Sequence, residues 1–101
     1  MKLQSPLFIL YEEDNFRGGN KFRGVFANKK RDLKRVAHEL IWSRKEEFHN
    51  YYERNGFGDH PRSAESLCGE MLRELITFNE TSGWPITYKI FQVPAGTEMP
   101  V

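Results

Sequence analysis

The stretch LFILYEEDNFRGGNKFRGVF, residues 7–26, decides the fold because it contains two strand patterns joined by a turn. LFILYEE, residues 7–13, is rich in β-formers and apolar at consecutive positions, which predicts a strand that is buried on both faces at its start. The GGN triplet can adopt the positive φ values that a hairpin turn needs. KFRGVF, residues 21–26, therefore predicts the returning strand, and Gly24 marks a bulge or a close backbone approach.

Two helices and a third strand are predicted after this hairpin. Asn28 is a favourable N-cap, and apolar residues at helical spacing continue to Tyr51, so we expect one long helix that ends at Asn55–Gly56. A second apolar stripe, residues 64–76, predicts the second helix. WPITYKIFQV, residues 84–93, is apolar or aromatic on both faces, which favours a final strand at the centre of the sheet with helices covering one side.

The order ββααβ predicts an α+β fold: a small three-stranded antiparallel sheet with two helices packed on one face. With 101 residues, of which 39% are hydrophobic, the chain has the size and composition of a single domain, residues 1–101, and residues 95–101 are expected to form a flexible tail. The hairpin that leads through GVF into a capped helix resembles small α+β proteins encoded by phages and mobile elements, and the resemblance identifies no family.

Charge is distributed unevenly along the chain although the formal net charge is only +1. Residues 17–35 contain eight basic residues and one acidic residue, whereas residues 36–80 contain nine acidic and five basic residues. The eight basic residues are Arg17, Lys21, Arg23, Lys29, Lys30, Arg31, Lys34 and Arg35. Such asymmetry indicates a charged partner, so we predict that these residues bind an anion, with nucleic acid as the first choice and an acidic protein surface as the alternative.

The start of the first helix carries cations where a helix prefers anions. The unpaired N–H groups and the positive end of the helix dipole make Lys29, Lys30 and Arg31 unfavourable there. A bound phosphate or carboxylate would relieve this repulsion, which is the functional interpretation. The alternative is a solvated helix face, in which Asp32 and Glu39 pair locally with the arginines.

Aromatic residues provide a second candidate surface. Trp42 lies off the centre of the first apolar stripe, and Tyr52 and Phe57 lie in or near the segment between the helices. Exposed aromatic residues are typical of protein-binding hot spots, so these three are candidates for contact with a protein. Packing against the core is the alternative for each of them.

Catalytic and metal-binding patterns are not found. Glu12, Glu13 and Asp14 are read as a solvated turn, and His38, His49 and His60 do not have the spacing of a metal site. The single cysteine, Cys68, is expected to be a buried structural residue.

We therefore expect no metal, no cofactor and no enzymatic activity. No run has the length of a membrane span and the N-terminus lacks a signal-peptide pattern, which predicts a cytoplasmic protein without membrane association. The functional prediction is a small non-catalytic regulator that binds nucleic acid through its basic hairpin and helix start. The alternative is a protein-binding inhibitor or adaptor that uses the basic surface or the aromatic segment between the helices. The sequence does not predict the oligomeric state.

Overall fold

The computed structural model describes residues 1–54, 63–81 and 85–100. The strands are β1 (Leu7–Asp14), β2 (Asn20–Phe26) and β3 (Ile86–Val93). The helical segments are a π-helical turn (Lys29–Leu33), α1 (Lys34–Ser43), α2 (Lys45–Arg54) and α3 (Ala64–Phe78). The three strands form one antiparallel sheet, so the predicted α+β class is confirmed.

Strand β1, rather than β3, occupies the centre of the sheet. The strand order is β2-β1-β3, and β1 pairs antiparallel with both neighbours. The outer edge of β3 bonds to the segment that follows α3: Ile90 N donates to Asn79 O (2.7 Å) and Thr81 N donates to Tyr88 O (3.0 Å). The prediction that the last strand is central was wrong. Apolar residues on both faces of a strand indicate that the faces are covered, and a strand at the edge of a sheet can be covered in the same way.

The helical segments pack on one face of the sheet and form the core with it. Leu10, Ile86, Tyr88 and Ile90 supply the sheet side of this core. The helical side consists of Leu33, Ala37, Ile41, Phe48, Cys68, Met71, Leu72 and Leu75. Burial raises the pKa of the Cys68 thiol, which keeps it protonated and confirms its structural role.

The first predicted helix is divided into three segments. Asn28 is the N-cap, as predicted, because its Oδ1 accepts from Arg31 N at 2.8 Å. The next backbone bond joins Leu33 N to Asn28 O (3.1 Å), five residues apart, which makes the first turn π-helical. The helix is interrupted a second time at Arg44, which lies between α1 and α2 and has φ −114° and ψ 16°. The break coincides with the position at which the Arg44 guanidinium reaches Glu12 on the sheet (3.4 Å).

A β-bulge in β2 confirms the close approach predicted at Gly24. The pairing register between β1 and β2 shifts after Leu10, opposite Gly24. Gly24 has φ 145°, and a Cβ built there would lie 2.8 Å from Phe26 Cζ. Only glycine fits both the conformation and the space.

Residues 96–99, within the segment expected to be a tail, bond to the N-terminal residues. Leu3 N donates to Thr97 O (3.0 Å), Gly96 N donates to Leu3 O (2.8 Å), and Met99 N donates to Met1 O (2.8 Å). The two ends of the described chain therefore run side by side.

Substituting two glycines should test the bulge. Gly24→Ala should lower the free energy of unfolding by about 1–3 kcal/mol because of backbone strain and contact with Phe26. Gly69→Ala, in the middle of α3 with open space around its Cβ position, should raise it by about 0.5–1 kcal/mol. Urea unfolding monitored by circular dichroism measures both, and a Gly24→Ala variant as stable as wild type would contradict the bulge assignment.

Candidate functional site

Among the described residues, two of the eight basic residues in the predicted anion site make part-buried hydrogen bonds to other elements of the protein. Arg23 precedes the bulge and donates from Nη2 to Glu12 Oε2 at 2.9 Å. Lys29 donates from Nζ to Asn79 Oδ1, and burial together with neighbouring Lys30 lowers its pKa. These two cations are therefore engaged by the fold itself.

The contact of Lys29 explains part of the unfavourable charge at the first helix. Asn79 is the C-cap of α3 and has the left-handed φ of 64°. A cation near a helix C-terminus faces the negative end of that dipole, a favourable interaction of about 0.3–1 kcal/mol. The Lys29 ammonium group therefore contacts the negative end of α3, which is more favourable than the positive end of its own helix.

The four remaining cations of this helical segment form an exposed surface, which we call the cationic row: Lys30, Arg31, Lys34 and Arg35. Arg31 is 3.4 Å from Asp32, in a pair that is open to water. Within the described ranges, no carboxylate lies within 4.0 Å of the other three. Like charges four residues apart on a helix cost about 0.2–0.5 kcal/mol per pair, so the row is a local cost that the fold does not offset.

The two hairpin cations are separate from the cationic row. Arg17 lies in the turn and Lys21 lies at the start of β2, whereas the row follows the end of β2 at Phe26. Five residues of antiparallel strand span about 17 Å. The basic residues therefore do not surround one anion, although both groups are exposed.

The turn itself is held by Asp14. Its Oδ1 accepts from Phe16 N (2.9 Å) and Arg17 N (3.0 Å). These hydrogen bonds, that from Arg17 first, lower the pKa of the Asp14 carboxyl. Asp14 is thereby a structural residue of the hairpin.

A buried ion cluster lies between the sheet and the helices. Glu12 is only 5% exposed, and its Oε2 contacts Arg23 (2.9 Å) and Arg44 (3.4 Å). Arg44 also contacts Glu47 at 3.2 Å, so two guanidinium groups face two carboxylates. Burial and the charge of Glu12 raise the pKa of the Tyr88 hydroxyl. The two positive and two negative charges balance, and the ion pairs join β1 to β2 and to the junction of α1 and α2. We call this set of ion pairs the clamp.

The interpretation of Glu12 as part of a solvated turn was wrong. Residues 12–14 belong to β1, and alternation places Glu12 on the core face, next to Leu10. The sequence contained one indication of a buried carboxylate. Arg44 lies on the apolar stripe of the predicted helix, and a cation in that position requires a buried partner. Glu13 points to the opposite face and pairs with Lys89 at 2.9 Å.

Two of the three aromatic candidates, Trp42 and Tyr52, are described by the structure and are only partly exposed. Trp42 is half-buried against the core and stacks on His38, with ring centroids 3.9 Å apart. Tyr52 is half-buried and meets Tyr51 edge to face at 5.5 Å. Phe57 lies outside the described residues. A separate cleft of about 520 Å³ is lined by Phe16, Glu47, Asn50, Tyr51, Arg54 and Pro85, so Tyr51, the neighbour of Tyr52, is part of its wall.

The face of the sheet opposite the helices carries an apolar surface that sequence reasoning did not single out. We call it the open face, and its central residues are Ile9, Tyr11, Phe22, Val25 and Phe91. Phe22, Val25 and Phe91 are 57%, 49% and 55% exposed. Tyr11 lies between the two phenylalanine rings, at 5.9 Å and 5.4 Å. The indication of this surface in the sequence was the first strand, which has apolar residues on both faces.

Among residues 1–54, 63–81 and 85–100, no three His, Cys, Asp or Glu side chains are placed to hold a metal ion. In the same residues, no helix combines the length and apolarity needed to cross a membrane. Comparison with protein-family models, curated proteins and solved structures finds no match.

Removing the Glu12 charge should destabilise the protein strongly. Glu12→Gln leaves two guanidinium groups without their shared carboxylate and should lower the free energy of unfolding by about 3 kcal/mol, the low end for a broken buried pair, since both arginines keep some contact with water. Glu13→Gln is the matched control: it removes the adjacent carboxylate from a half-exposed pair and should cost less than about 1 kcal/mol. Equal effects in urea unfolding would refute the clamp.

Stability should fall at alkaline pH because of Tyr88. Its pKa is raised above the ordinary value of 10.0 in the folded state, so the folded protein holds a proton that the unfolded chain releases once the pH exceeds that value. The free energy of unfolding should therefore decrease above pH 10, and Tyr88→Phe should flatten this decrease. Urea unfolding at a series of pH values measures the slope, and an unchanged slope in Tyr88→Phe would exclude this cause.

Proposed function

We propose that this protein is a small non-catalytic regulator that binds the backbone of a nucleic acid through the cationic row. The observation that supports the proposal is the exposure of Lys30, Arg31, Lys34 and Arg35 on one short helical segment, with Asp32 as the single close carboxylate among the described residues. Arg17 and Lys21, at the other end of β2, are exposed cations separate from the row.

The side chains, rather than the helix end, carry the proposed binding. Asn28 already accepts from the N–H of Arg31, so the cap of this helix is satisfied from within. Lysine and arginine side chains neutralise phosphates and release condensed counterions, which supplies affinity without a shaped pocket. An exposed row of cations fits that mode of binding.

A non-catalytic role is supported by the state of the buried ionisable groups of the core. Glu12 is held by two arginines, and Tyr88 and Cys68 are buried with raised pKa values. None of these groups offers a reactive form to a substrate at neutral pH. A cytoplasmic location is part of the same proposal, supported by the single reduced Cys68.

A second candidate function is protein binding at the cleft lined by Phe16 and Tyr51. Phe16 is exposed, meets Tyr51 edge to face at 6.0 Å, and lines the cleft together with Arg54. Aromatic and arginine side chains around a concave surface are typical of protein interfaces. An inhibitor or adaptor would use this region, with the cationic row steering an acidic partner.

Replacing the cationic row should separate binding from stability. Changing Lys30, Arg31, Lys34 and Arg35 together to Gln should weaken binding to random single-stranded DNA and RNA, with the slope of log affinity against log salt falling by about 0.7 for each phosphate that the variant no longer neutralises. The free protein should be slightly more stable, because like-charge pairs are removed. Fluorescence anisotropy across a salt series, with urea unfolding of the same samples, measures both. Lys29 stays unchanged because it bonds to Asn79.

The matched control removes the same number of charges elsewhere: Lys2, Lys45, Arg54 and Arg73 changed to Gln. The control should keep most of the affinity and most of the salt slope. If control and row variants lose affinity equally, binding depends on net charge alone and the row is not the site. If wild type does not bind at low salt, nucleic acid is excluded and the protein-binding candidate replaces it.

A further inference from the structure

We propose that the open face packs against the open face of a second copy of this chain, forming a symmetric face-to-face dimer. This inference stands independently of nucleic-acid binding, because the open face and the cationic row lie on different surfaces. The helices that carry the row pack on the opposite side of the sheet.

The first support is the amount of apolar side chain left in water. Phe22, Val25 and Phe91 come from the two outer strands, and each is about half exposed or more. Ile9 and Tyr11 fill the space between them on the central strand. A sheet normally buries each apolar face against another layer, and within the described part of the chain the helices cover only one.

The charges on the open face favour a protein surface over a phosphate backbone. Lys89 lies opposite Tyr11 on this face, 2.9 Å from Glu13 and 3.8 Å from Glu80. Its positive charge is therefore already neutralised. A two-fold arrangement can place Lys89 of one copy against Glu13 of the other, because an isologous interface uses the same patch twice.

The arrangement of the rings also favours an apolar partner. Tyr11 meets Phe22 and Phe91 edge to face, at interplanar angles of 67° and 81°. Stacking of nucleic-acid bases requires separate, accessible ring faces. Here the three rings pack on one another as a continuous ridge, which suits interdigitation with a second sheet.

The free edge of β2 does not suit strand pairing between copies. Gly24 forms the bulge, and Lys21 is exposed at the beginning of the same strand. Bulges and lysines are the features that prevent edge-to-edge pairing of sheets. Packing of two faces about 10 Å apart, with strands crossing at a small angle, is the geometry that remains.

The size of the open face predicts a weak dimer. Three strands of seven to eight residues span roughly 14 Å by 25 Å, or about 350 Å² per copy. A stable interface buries about 800 Å² per partner, so we expect reversible association rather than a permanent dimer. An apolar interface of this kind should not weaken as salt rises, unlike phosphate binding.

Sedimentation velocity from low to high micromolar concentration tests the proposal. Wild type should shift from the monomer mass of 11.9 kDa toward twice that mass, at low and at high salt. Phe22→Lys and Phe91→Lys should remain monomeric, since each places a charge in the apolar centre. Phe78→Lys is the matched control: Phe78 is 74% exposed at the end of α3, and its variant should associate like wild type.

Intermolecular NOEs in a mixed isotope-labelled sample of wild type provide a second readout that does not depend on the variants folding. Contacts between the rings of Phe22 and Phe91 of different copies are expected. A wild type that stays monomeric throughout the concentration range overturns the proposal, as does dimerisation that Phe78→Lys abolishes equally. A monomer whose open-face signals shift on adding a single-stranded oligonucleotide would also overturn it, in favour of base stacking.

Discussion

The buried carboxylate of Glu12 is the constraint on which the rest of the structure depends. It lies on the core face of the central strand and requires positive partners, which Arg23 provides from β2 and Arg44 from the junction of α1 and α2. A charge in that position is costly unless both contacts are kept. The ion cluster therefore holds β2 and the helices against the central strand β1. One of its members, Arg44, is the residue at which the helix is interrupted.

The basic residues fall into two groups with different roles. Arg23 and Lys29 have internal partners, Glu12 and Asn79, and contribute to the fold. Among the residues that the structure describes, the cationic row has one weak partner, Asp32, so its like charges destabilise the free protein slightly. The division also separates two surfaces, the row on the helical side and the open face on the other side of the sheet. A face-to-face dimer would leave both rows in water.

Local chemistry made the elements predictable from the sequence. The glycine-rich hairpin, the Asn28 cap and the bulge at Gly24 follow from the conformations that these residues favour. The central position of β1 and the partner of Arg44 could not be predicted, because both depend on pairing between segments distant in the sequence. The burial of Glu12 follows from the same pairing, since alternation alone does not say which face the helices cover.

Amide chemical-shift mapping with a short single-stranded oligonucleotide tests most directly whether the protein has two distinct surfaces. We predict that the signals of residues 30–35 shift in a salt-dependent manner, while those of Phe22 and Phe91 stay at their positions in the free protein. Shifts concentrated on the open face, with residues 30–35 unaffected, would contradict the account.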